Sequence, residues 1–240
     1  MPERAAIVTG ASRGIGRAIA ETLAGEGYAL TVTARKAETI EEAAEALRGM
    51  GAEVEQVAAN LASEEAVTEV VARHRDRFGR LDVLVNNAGV GIGAPAGEHQ
   101  TKHVDLQFAV NIRSIILFYR ESVELLRKAG AEHRSALVVN LASMAAKAPA
   151  PWLSVYSATK AAVVAYTLAM NKELNGDGIK SVAFCPGFVD TDMTAFVREQ
   201  VSQEDMIRTA DIAEAVRFLL RVSPACVVPE IIFGRPGENI

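Results

Sequence analysis

The sequence is poor in cysteine and in aromatic residues. Its 240 residues include two cysteines and one tryptophan, and 5% of them are aromatic. Cys185 and Cys226 are far apart and form neither a C-x-x-C pair nor a Cys/His cluster. This scarcity excludes a disulfide-stapled fold and a cysteine-based metal site. It predicts a protein of the reducing cytoplasm.

Long apolar runs and an excess of positive charge are also lacking. No apolar stretch approaches the roughly 18 residues that a membrane-spanning helix needs, and residues 1–4 enter a strand-like run without a signal peptide. The 25 Lys and Arg residues against 30 Asp and Glu residues leave a net charge of −5. We therefore expect neither a membrane nor a nucleic acid as partner.

What is present is the pattern of a globular α/β protein, in which short apolar runs alternate with longer helical segments. No linker, repeat or low-complexity tract interrupts it, so residues 1–240 are predicted to form a single domain. The predicted strands are residues 5–9, 29–33, 53–58, 82–86, 136–141, 181–185 and 230–233. The predicted helices are residues 14–26, 37–49, 63–78, 103–128, 153–175 and 210–221, with N-caps at Ser63 and Thr209.

The predicted strands show no polar alternation, and residues 83–85 and 136–139 are apolar throughout. Such strands are covered on both faces, which is typical of a parallel sheet with helices on each side. The predicted fold is a Rossmann-type doubly wound parallel sheet of about seven strands. Its ligand crevice is expected at the carboxyl ends of the strands.

Residues 9–16, directly after the first strand, read T-G-A-S-R-G-I-G. Three glycines between a strand and a helix allow backbone N–H groups to approach a pyrophosphate, which indicates a dinucleotide site. Residues 10–14 also satisfy the G-x-S-x-G pattern of α/β-hydrolases. Only one strand precedes this turn, and the last histidine, His133, lies mid-chain, so the hydrolase interpretation is disfavoured.

The end of the second strand predicts which dinucleotide binds. An NAD enzyme typically places Asp or Glu there, whereas this chain reads Ala34-Arg35-Lys36 with no acid before Glu38. Arg35 and Arg13 could both bond a 2′-phosphate, which favours NADP (NADPH). The alternative is that both arginines are merely solvated surface groups.

A tyrosine and a lysine four residues apart indicate proton chemistry. Tyr156 and Lys160 fall on one face of a predicted helix, where a nearby ammonium would lower the pKa of the phenol. Ser143, at the end of the fifth strand, could donate to a carbonyl oxygen that gains negative charge. The alternatives are an exposed i,i+4 contact for the pair and a turn cap for Ser143.

Together these motifs resemble the short-chain dehydrogenases/reductases, and in length and motifs the 3-oxoacyl-carrier-protein reductases. The resemblance rests on residues 9–16, 60–61, 86–89 and 186–191, and on Asn111, Ser143, Tyr156 and Lys160, which fall where the family has its catalytic tetrad. It implies that Tyr156 donates a proton, Ser143 orients the carbonyl and Asn111 holds a relay water. Lys160 would bind the nicotinamide ribose and lower the pKa of Tyr156.

The resemblance also implies the cofactor contacts and the expected partners. The expected cofactor residues are Gly10, Ser12, Arg13, Gly14, Ile15, Gly16, Arg35, Asn60, Leu61, Asn87, Ala88, Gly89, Tyr156, Lys160, Pro186, Gly187, Val189 and Thr191. A homodimer is expected through the apolar helix at residues 106–119 and the alanine-rich helix at 153–170. A homotetramer is less favoured, because residues 228–235 lack the family's Asp-Gly-Gly ending.

The sequence therefore predicts an NADP-dependent oxidoreductase that acts on a carbonyl or alcohol, such as a 3-oxoacyl thioester or another small ketone. The alternative is a catalytically silent NADP-binding sensor or scaffold. No metal site is expected, because His99 and His103 lack a third ligand. An apolar substrate pocket is expected from Met144, Trp152, Phe188, Met193 and Phe196, beside a short substrate loop at residues 192–208.

Overall fold

A computed structural model describes residues 2–199 and 201–237 of the chain. Within these residues the chain forms one seven-stranded sheet of order β3-β2-β1-β4-β5-β6-β7, with every pair of neighbouring strands parallel. This confirms the predicted doubly wound sheet. The strands are β1 (Ala5–Thr9), β2 (Ala29–Ala34), β3 (Val54–Ala58), β4 (Val83–Asn86), β5 (Ala136–Leu141), β6 (Ile179–Pro186) and β7 (Glu230–Phe233).

Helices cover both faces of the sheet. One buried cluster joins the sheet to α1, α2 and α7, and a second joins the opposite face to α3, α5 and α6. None of the helices in the described part of the chain is long and apolar enough to cross a membrane. The helices are α1 (Gly14–Gly25), α2 (Ala37–Gly49), α3 (Glu64–Phe78), α4 (Thr101–Phe108), α5 (Ser114–His133), α6 (Ser154–Leu174) and α7 (Thr209–Arg221).

The central strand β1 shows why the strands are apolar throughout. Ala6 and Val8 pack into the cluster on one face, whereas Ile7, between them, packs into the cluster on the other. Successive side chains of a strand point to opposite faces, so a sheet covered twice needs apolar residues at every position. Burying one such large side chain contributes about 1.5–3 kcal/mol to the free energy of unfolding.

Two predicted helix boundaries need correction. The helix expected over residues 103–128 is instead α4, a π-helical turn at Ala109–Arg113 and then α5. Thr209 is not an N-cap but the first residue of α7, and Arg208 is the N-cap. The Asp211 carboxylate, in the first turn of the helix, accepts the backbone N–H of Arg208 at 3.0 Å. Ser63 does cap α3, accepting the Ala66 N–H at 3.3 Å.

The sheet order places a crevice between β1 and β4. The chain leaves β1 through α1 toward β2 on one side, and it reaches β4 on the other side through α3, which covers the opposite face. Successive connections thus diverge at the carboxyl ends of these two strands. In open α/β sheets this point of divergence is where ligands bind.

His74 is a fully buried titratable side chain on α3. Its Nε2 lies 2.8 Å from the Arg80 carbonyl, and its Nδ1 lies 2.8 Å from the Thr31 hydroxyl. Because a carbonyl oxygen only accepts, Nε2–H donates to Arg80, and Nδ1 accepts from Thr31 in the neutral ring. Burial lowers the pKa of His74 to about 4.

We expect the protein to lose stability as the pH falls from about 6.5 to about 4. Over this range the unfolded state protonates His74 and the folded state does not, which corresponds to about 3 kcal/mol of unfolding free energy. Urea unfolding at a series of pH values measures how steeply the free energy of unfolding changes with pH. The His74→Gln variant should show a weaker pH dependence of the free energy of unfolding. The control His133→Gln, at an exposed histidine, should keep the wild-type dependence. An unchanged pH dependence in His74→Gln would show that His74 does not cause this loss of stability.

Candidate active site

Thr9 and Asn87 join the carboxyl ends of β1 and β4, where the crevice opens. The Thr9 hydroxyl accepts the N–H groups of Asn87 and Ala88 at 2.9 and 3.0 Å, and it donates to the Val85 carbonyl at 3.2 Å. The Asn87 amide in return donates to the carbonyls of Thr9 and Gly10 at 2.9 and 3.1 Å. The glycine-rich turn and the N-N-A-G segment are therefore held as one unit.

Two glycines of the turn need a left-handed backbone and the third needs space. Gly10 and Gly14 have φ of +64° and +58°, which side chains other than glycine rarely adopt. A Cβ on Gly16 would lie 2.3 Å from the Asn87 amide nitrogen and 2.4 Å from the Gly10 carbonyl oxygen. Gly16 thus lets the start of α1 pack beneath the turn, where its free N–H groups suit a phosphate.

A cleft of about 1250 Å³ runs along this edge of the sheet. Two predicted site residues, Gly16 and Asn111, are buried beneath the surface of the cleft and do not line it. All five residues expected for the substrate pocket line the cleft. Its open glycine turn fits a pyrophosphate-bearing dinucleotide. The other predicted site residues all line the cleft: Gly10, Ser12, Arg13, Gly14, Ile15, Arg35, Asn60, Leu61, Asn87, Ala88, Gly89, Ser143, Tyr156, Lys160, Pro186, Gly187, Val189 and Thr191.

The two arginines predicted to share a 2′-phosphate have different surroundings. Arg35 and Lys36 line the cleft where β2 ends, with no carboxylate at that position. The Arg13 guanidinium instead donates to the Asp192 carboxylate at 2.7 Å. Both partners are largely exposed, and an exposed pair of this kind contributes little stability. Arg13 bonds Asp192 through Nη1, so a 2′-phosphate would have to share this guanidinium with the carboxylate.

Tyr156 and Lys160 lie on one side of α6, near its start. The Lys160 ammonium is 5.6 Å from the centre of the Tyr156 ring and donates to the Leu141 carbonyl at 2.6 Å. Lys160 is buried, and burial lowers its pKa to about 8. The pair is therefore not the exposed i,i+4 contact that the sequence left open.

The pKa of Tyr156 differs from the expectation. Burial raises this pKa, and a side-chain hydrogen bond from Ser143 opposes the rise. The ammonium of Lys160 lies over the ring face and is held by a carbonyl, so it does not offset the burial. The phenol is therefore kept protonated, as a proton donor must be.

Ser143 lies two residues beyond β5 rather than at its end. Its Oγ accepts the Ala145 N–H at 3.1 Å and caps the short 3₁₀ turn Met144–Ala146. The cap interpretation is thus correct, but it uses the hydroxyl only as an acceptor. The proton of that hydroxyl stays available to donate toward Tyr156 or a ligand in the cleft.

Asn111 occupies the π-helical turn between α4 and α5. Its Oδ1 accepts the Val90 N–H at 2.8 Å, and its Nδ2 donates to the Val90 carbonyl at 2.9 Å and to the Thr159 hydroxyl at 3.0 Å. Both amide hydrogens are therefore used within the protein. Asn111 positions the segment after β4 against α6, and its expected relay water stays a prediction.

Gly91 and Gly93 are site residues that the sequence analysis missed. A Cβ on Gly91 would lie 3.6 Å from the Tyr156 ring, and one on Gly93 would lie 2.1 Å from the Trp152 indole. Residues 91–93 therefore pack against both the Tyr156 ring and the Trp152 indole. The G-x-G-x-G spacing of residues 89–93 was the available signal, but nothing local shows which rings it meets.

The two histidines considered for a metal are not among the residues that line the cleft. His99 Nε2 lies 3.1 Å from the Ser154 hydroxyl, at the start of α6. Across residues 2–199 and 201–237, no three Asp, Glu, His or Cys side chains gather closely enough to hold a metal ion.

Comparison with known proteins agrees with this geometry. Residues 4–202 match the family model described as short chain dehydrogenase. The chain is 37% identical over 232 residues to the 2-(R)-hydroxypropyl-CoM dehydrogenase of Xanthobacter autotrophicus, with 90% of each chain covered.

Two solved structures extend the likeness to the whole fold. One is the alcohol dehydrogenase of Thermococcus sibiricus with 5-hydroxy-NADP, at TM-score 0.87 and 30% identity, covering 98% of this chain and 97% of that one. The other is the 3-ketoacyl-(acyl-carrier-protein) reductase of Brucella melitensis with NADH, at TM-score 0.88 and 28% identity, covering 98% of each.

The sheet, the glycine turn and the Ser143, Tyr156 and Lys160 set define a nicotinamide dinucleotide-dependent oxidoreductase. Within that class the chain belongs to the short-chain dehydrogenase/reductase family. The resemblance drawn from the motifs is confirmed.

Proposed function

We propose that the protein transfers a hydride between NADPH and a carbonyl or alcohol substrate, such as a 3-oxoacyl thioester or another small ketone. The observation that carries the proposal is the group of Ser143, Tyr156 and Lys160 lining the same cleft as the glycine-rich turn. These three side chains supply two hydrogen-bond donors and a buried cation next to the space for a substrate.

Tyr156, Ser143 and Lys160 have different roles in the proposed carbonyl reduction. NADPH, when bound, would supply the hydride for the carbonyl carbon. Tyr156, kept protonated by burial, gives its proton to the carbonyl oxygen. Ser143 donates to the same oxygen as negative charge develops there. Lys160, buried beside Gly89, is placed to hold the nicotinamide ribose.

NADP is the preferred cofactor in this proposal because of Arg35. Guanidinium at the end of β2 suits a 2′-phosphate, whereas a carboxylate there would suit the free ribose hydroxyl. The Thermococcus enzyme was solved with an NADP derivative and the Brucella enzyme with NADH, so family membership alone does not decide the choice.

A catalytically silent NADP-binding sensor is the alternative function. A binding protein would need the turn and Arg35, but it would have no use for a tyrosine and a serine hydroxyl that line the same cleft. The intact proton-donor group therefore favours the enzyme.

We also propose a homodimer. Phe108, Ile116 and Leu168 on α4, α5 and α6 are large apolar side chains with 45%, 41% and 39% of their surfaces exposed. Covering them against a second copy would remove this apolar surface from water. Sedimentation analysis would show the dimer, and Ile116→Lys should shift it toward monomer. A wild type that sediments only as a monomer would contradict the proposal.

A cytoplasmic setting is supported by the two cysteines, which are both free. Cys185 is buried, and burial raises the pKa of its thiol to about 12. Cys226 is exposed, and a free exposed thiol suits a reducing compartment.

The Tyr156→Phe variant should lose about 10²–10⁴-fold in kcat for ketone reduction, because phenylalanine keeps the ring but supplies no proton. NADPH binding should stay close to normal, since the other expected cofactor contacts remain. Steady-state consumption of NADPH measures kcat, and titration calorimetry measures NADPH binding. More than about a tenth of wild-type kcat in this variant would place the proton donor elsewhere.

Ser143→Ala serves as the companion variant. It removes a donor to the developing oxyanion, worth about 2.7–4 kcal/mol of barrier, but it also removes the cap on Met144–Ala146. Ser143→Thr retains a hydroxyl and should recover part of kcat, which separates the chemical role from the cap. An unchanged kcat in Ser143→Ala would leave the residue as a cap alone.

The wild type should prefer NADPH over NADH by at least about tenfold in kcat/KM, because charge-assisted bonds to the 2′-phosphate contribute about 1.5–3 kcal/mol each. Arg35→Ala should weaken NADPH and leave NADH almost unchanged. Arg13→Ala is the matched comparison. Because Arg13 is paired with Asp192, its loss should cost less than that of Arg35. Equal wild-type use of both cofactors would contradict the role of Arg35.

A further inference from the structure

Two aromatic side chains face each other at the mouth of the cleft. Trp152 and Phe196 meet edge to face, with ring centres 5.9 Å apart and an interplanar angle of 87°. Both line the cleft, yet 47% of the surface of Trp152 and 58% of that of Phe196 are exposed. Large aromatic rings left in water beside a reaction site indicate a surface that a ligand covers.

The backbone of Trp152 is strained in a way that fixes the indole. Its φ is +59°, a left-handed conformation that is uncommon for a bulky residue. Neighbouring backbone holds it there: the Ala94 N–H donates to the Trp152 carbonyl at 2.8 Å, and the Leu153 N–H donates to the Pro151 carbonyl at 2.7 Å. Strain of this kind persists only where the surroundings impose it, and it concentrates at functional sites.

The indole is also placed relative to the proton donor. It lies against Gly93, where even a methyl group would overlap it, and Gly91, two residues earlier, lies against the Tyr156 ring. One short segment thus seats both rings. A substrate whose carbonyl oxygen meets Tyr156 therefore has its substituent directed at a fixed aromatic surface.

Phe196 reaches the mouth from the opposite side, on the 3₁₀ segment Asp192–Val197. A capping box between Thr191 and Thr194 holds the start of this segment. Met193, on the same segment, lines the cleft and has 52% of its surface exposed. The rim on this side is therefore apolar as well.

The charges of this rim do not attract an anion. Residues 188–199 include three carboxylates, Asp190, Asp192 and Glu199, and one guanidinium, Arg198. Arg198 pairs with Asp190 at 3.0 Å, and Arg13, across the cleft, pairs with Asp192 at 2.7 Å. An anionic substituent would meet this net negative segment, in which Arg198 and Arg13 face carboxylates and the neighbouring Arg235 guanidinium lies over the Phe188 ring.

We propose that Trp152 and Phe196 form an aromatic clamp that selects an uncharged ketone carrying a flat apolar substituent, such as an aryl group. The inference rests on the proposed function. Because the two rings already touch each other, a flat substituent would pack beside the pair, against the exposed surface of each ring, and gain offset or edge-to-face contacts with both.

Kinetics with three probe ketones and NADPH test the clamp. Acetophenone is the uncharged aryl ketone, 4-acetylbenzenesulfonate is its anionic counterpart, and 2-butanone is a small aliphatic control. The wild type should favour acetophenone over each of the others by about tenfold or more in kcat/KM. Trp152→Ala and Phe196→Ala should each lower the acetophenone to 2-butanone ratio by about tenfold. Phe218→Ala, at an exposed aromatic residue of α7, should leave the ratio unchanged.

Binding can be followed without turnover, because Trp152 is the single tryptophan of the chain. Acetophenone should quench its fluorescence in protein saturated with NADP⁺, with weaker affinity in Phe196→Ala. No reduction of any ketone would contradict the proposed function, while quenching in the same protein would still support the clamp. Reduction of 2-butanone with no preference for acetophenone, or equal use of the sulfonate, would overturn the clamp and leave the proposed function intact.

Discussion

The hydrogen bonds between Thr9 and Asn87 set the geometry on which the rest of the site depends. They tie the carboxyl ends of β1 and β4 at the point where successive connections diverge to opposite faces of the sheet. Because the Asn87 amide also holds the Gly10 carbonyl, only a residue without a side chain fits beneath it, which accounts for Gly16. A cofactor turn, a loop after β4 and a helix start are thereby assembled from side chains far apart in sequence.

A second set of bonds fixes Tyr156, the proposed proton donor, to this frame. The Thr159 hydroxyl donates to the Tyr156 carbonyl at 2.7 Å and accepts from Asn111, whose amide also holds both backbone groups of Val90. The π-helical turn at Ala109–Arg113 is where the helix carries Asn111 into this position. π-Turns are often found at functional sites, and here one links the helix pair to the loop that seats Tyr156.

Behind the site, buried polar side chains of the sheet and of its covering helices hydrogen-bond to one another. The Asn86 amide donates to Asn140 at 2.8 Å, and the Asn140 amide donates to the Tyr119 and Thr167 hydroxyls at 3.0 and 2.9 Å. Tyr119 in turn donates to Ser181 at 2.8 Å. Burial raises the pKa of Tyr119, so this phenol stays protonated and serves only the network. Buried networks of this kind favour one arrangement of strands over others, because each misplaced partner would leave a buried group unpaired.

The sequence by itself determined the sheet, the cofactor turn and the candidate proton donor. These features depend on local signals: apolar strands such as β1, glycines at 10, 14 and 16, and a lysine one helical turn after Tyr156. Only the tertiary structure decided what those residues meet, because burial and long-range contacts are not written in local spacing. It paired Arg13 with Asp192 and made Asn111 a brace for Val90. It also raised the pKa of Tyr156 by burial and brought Trp152 to Phe196 across the cleft.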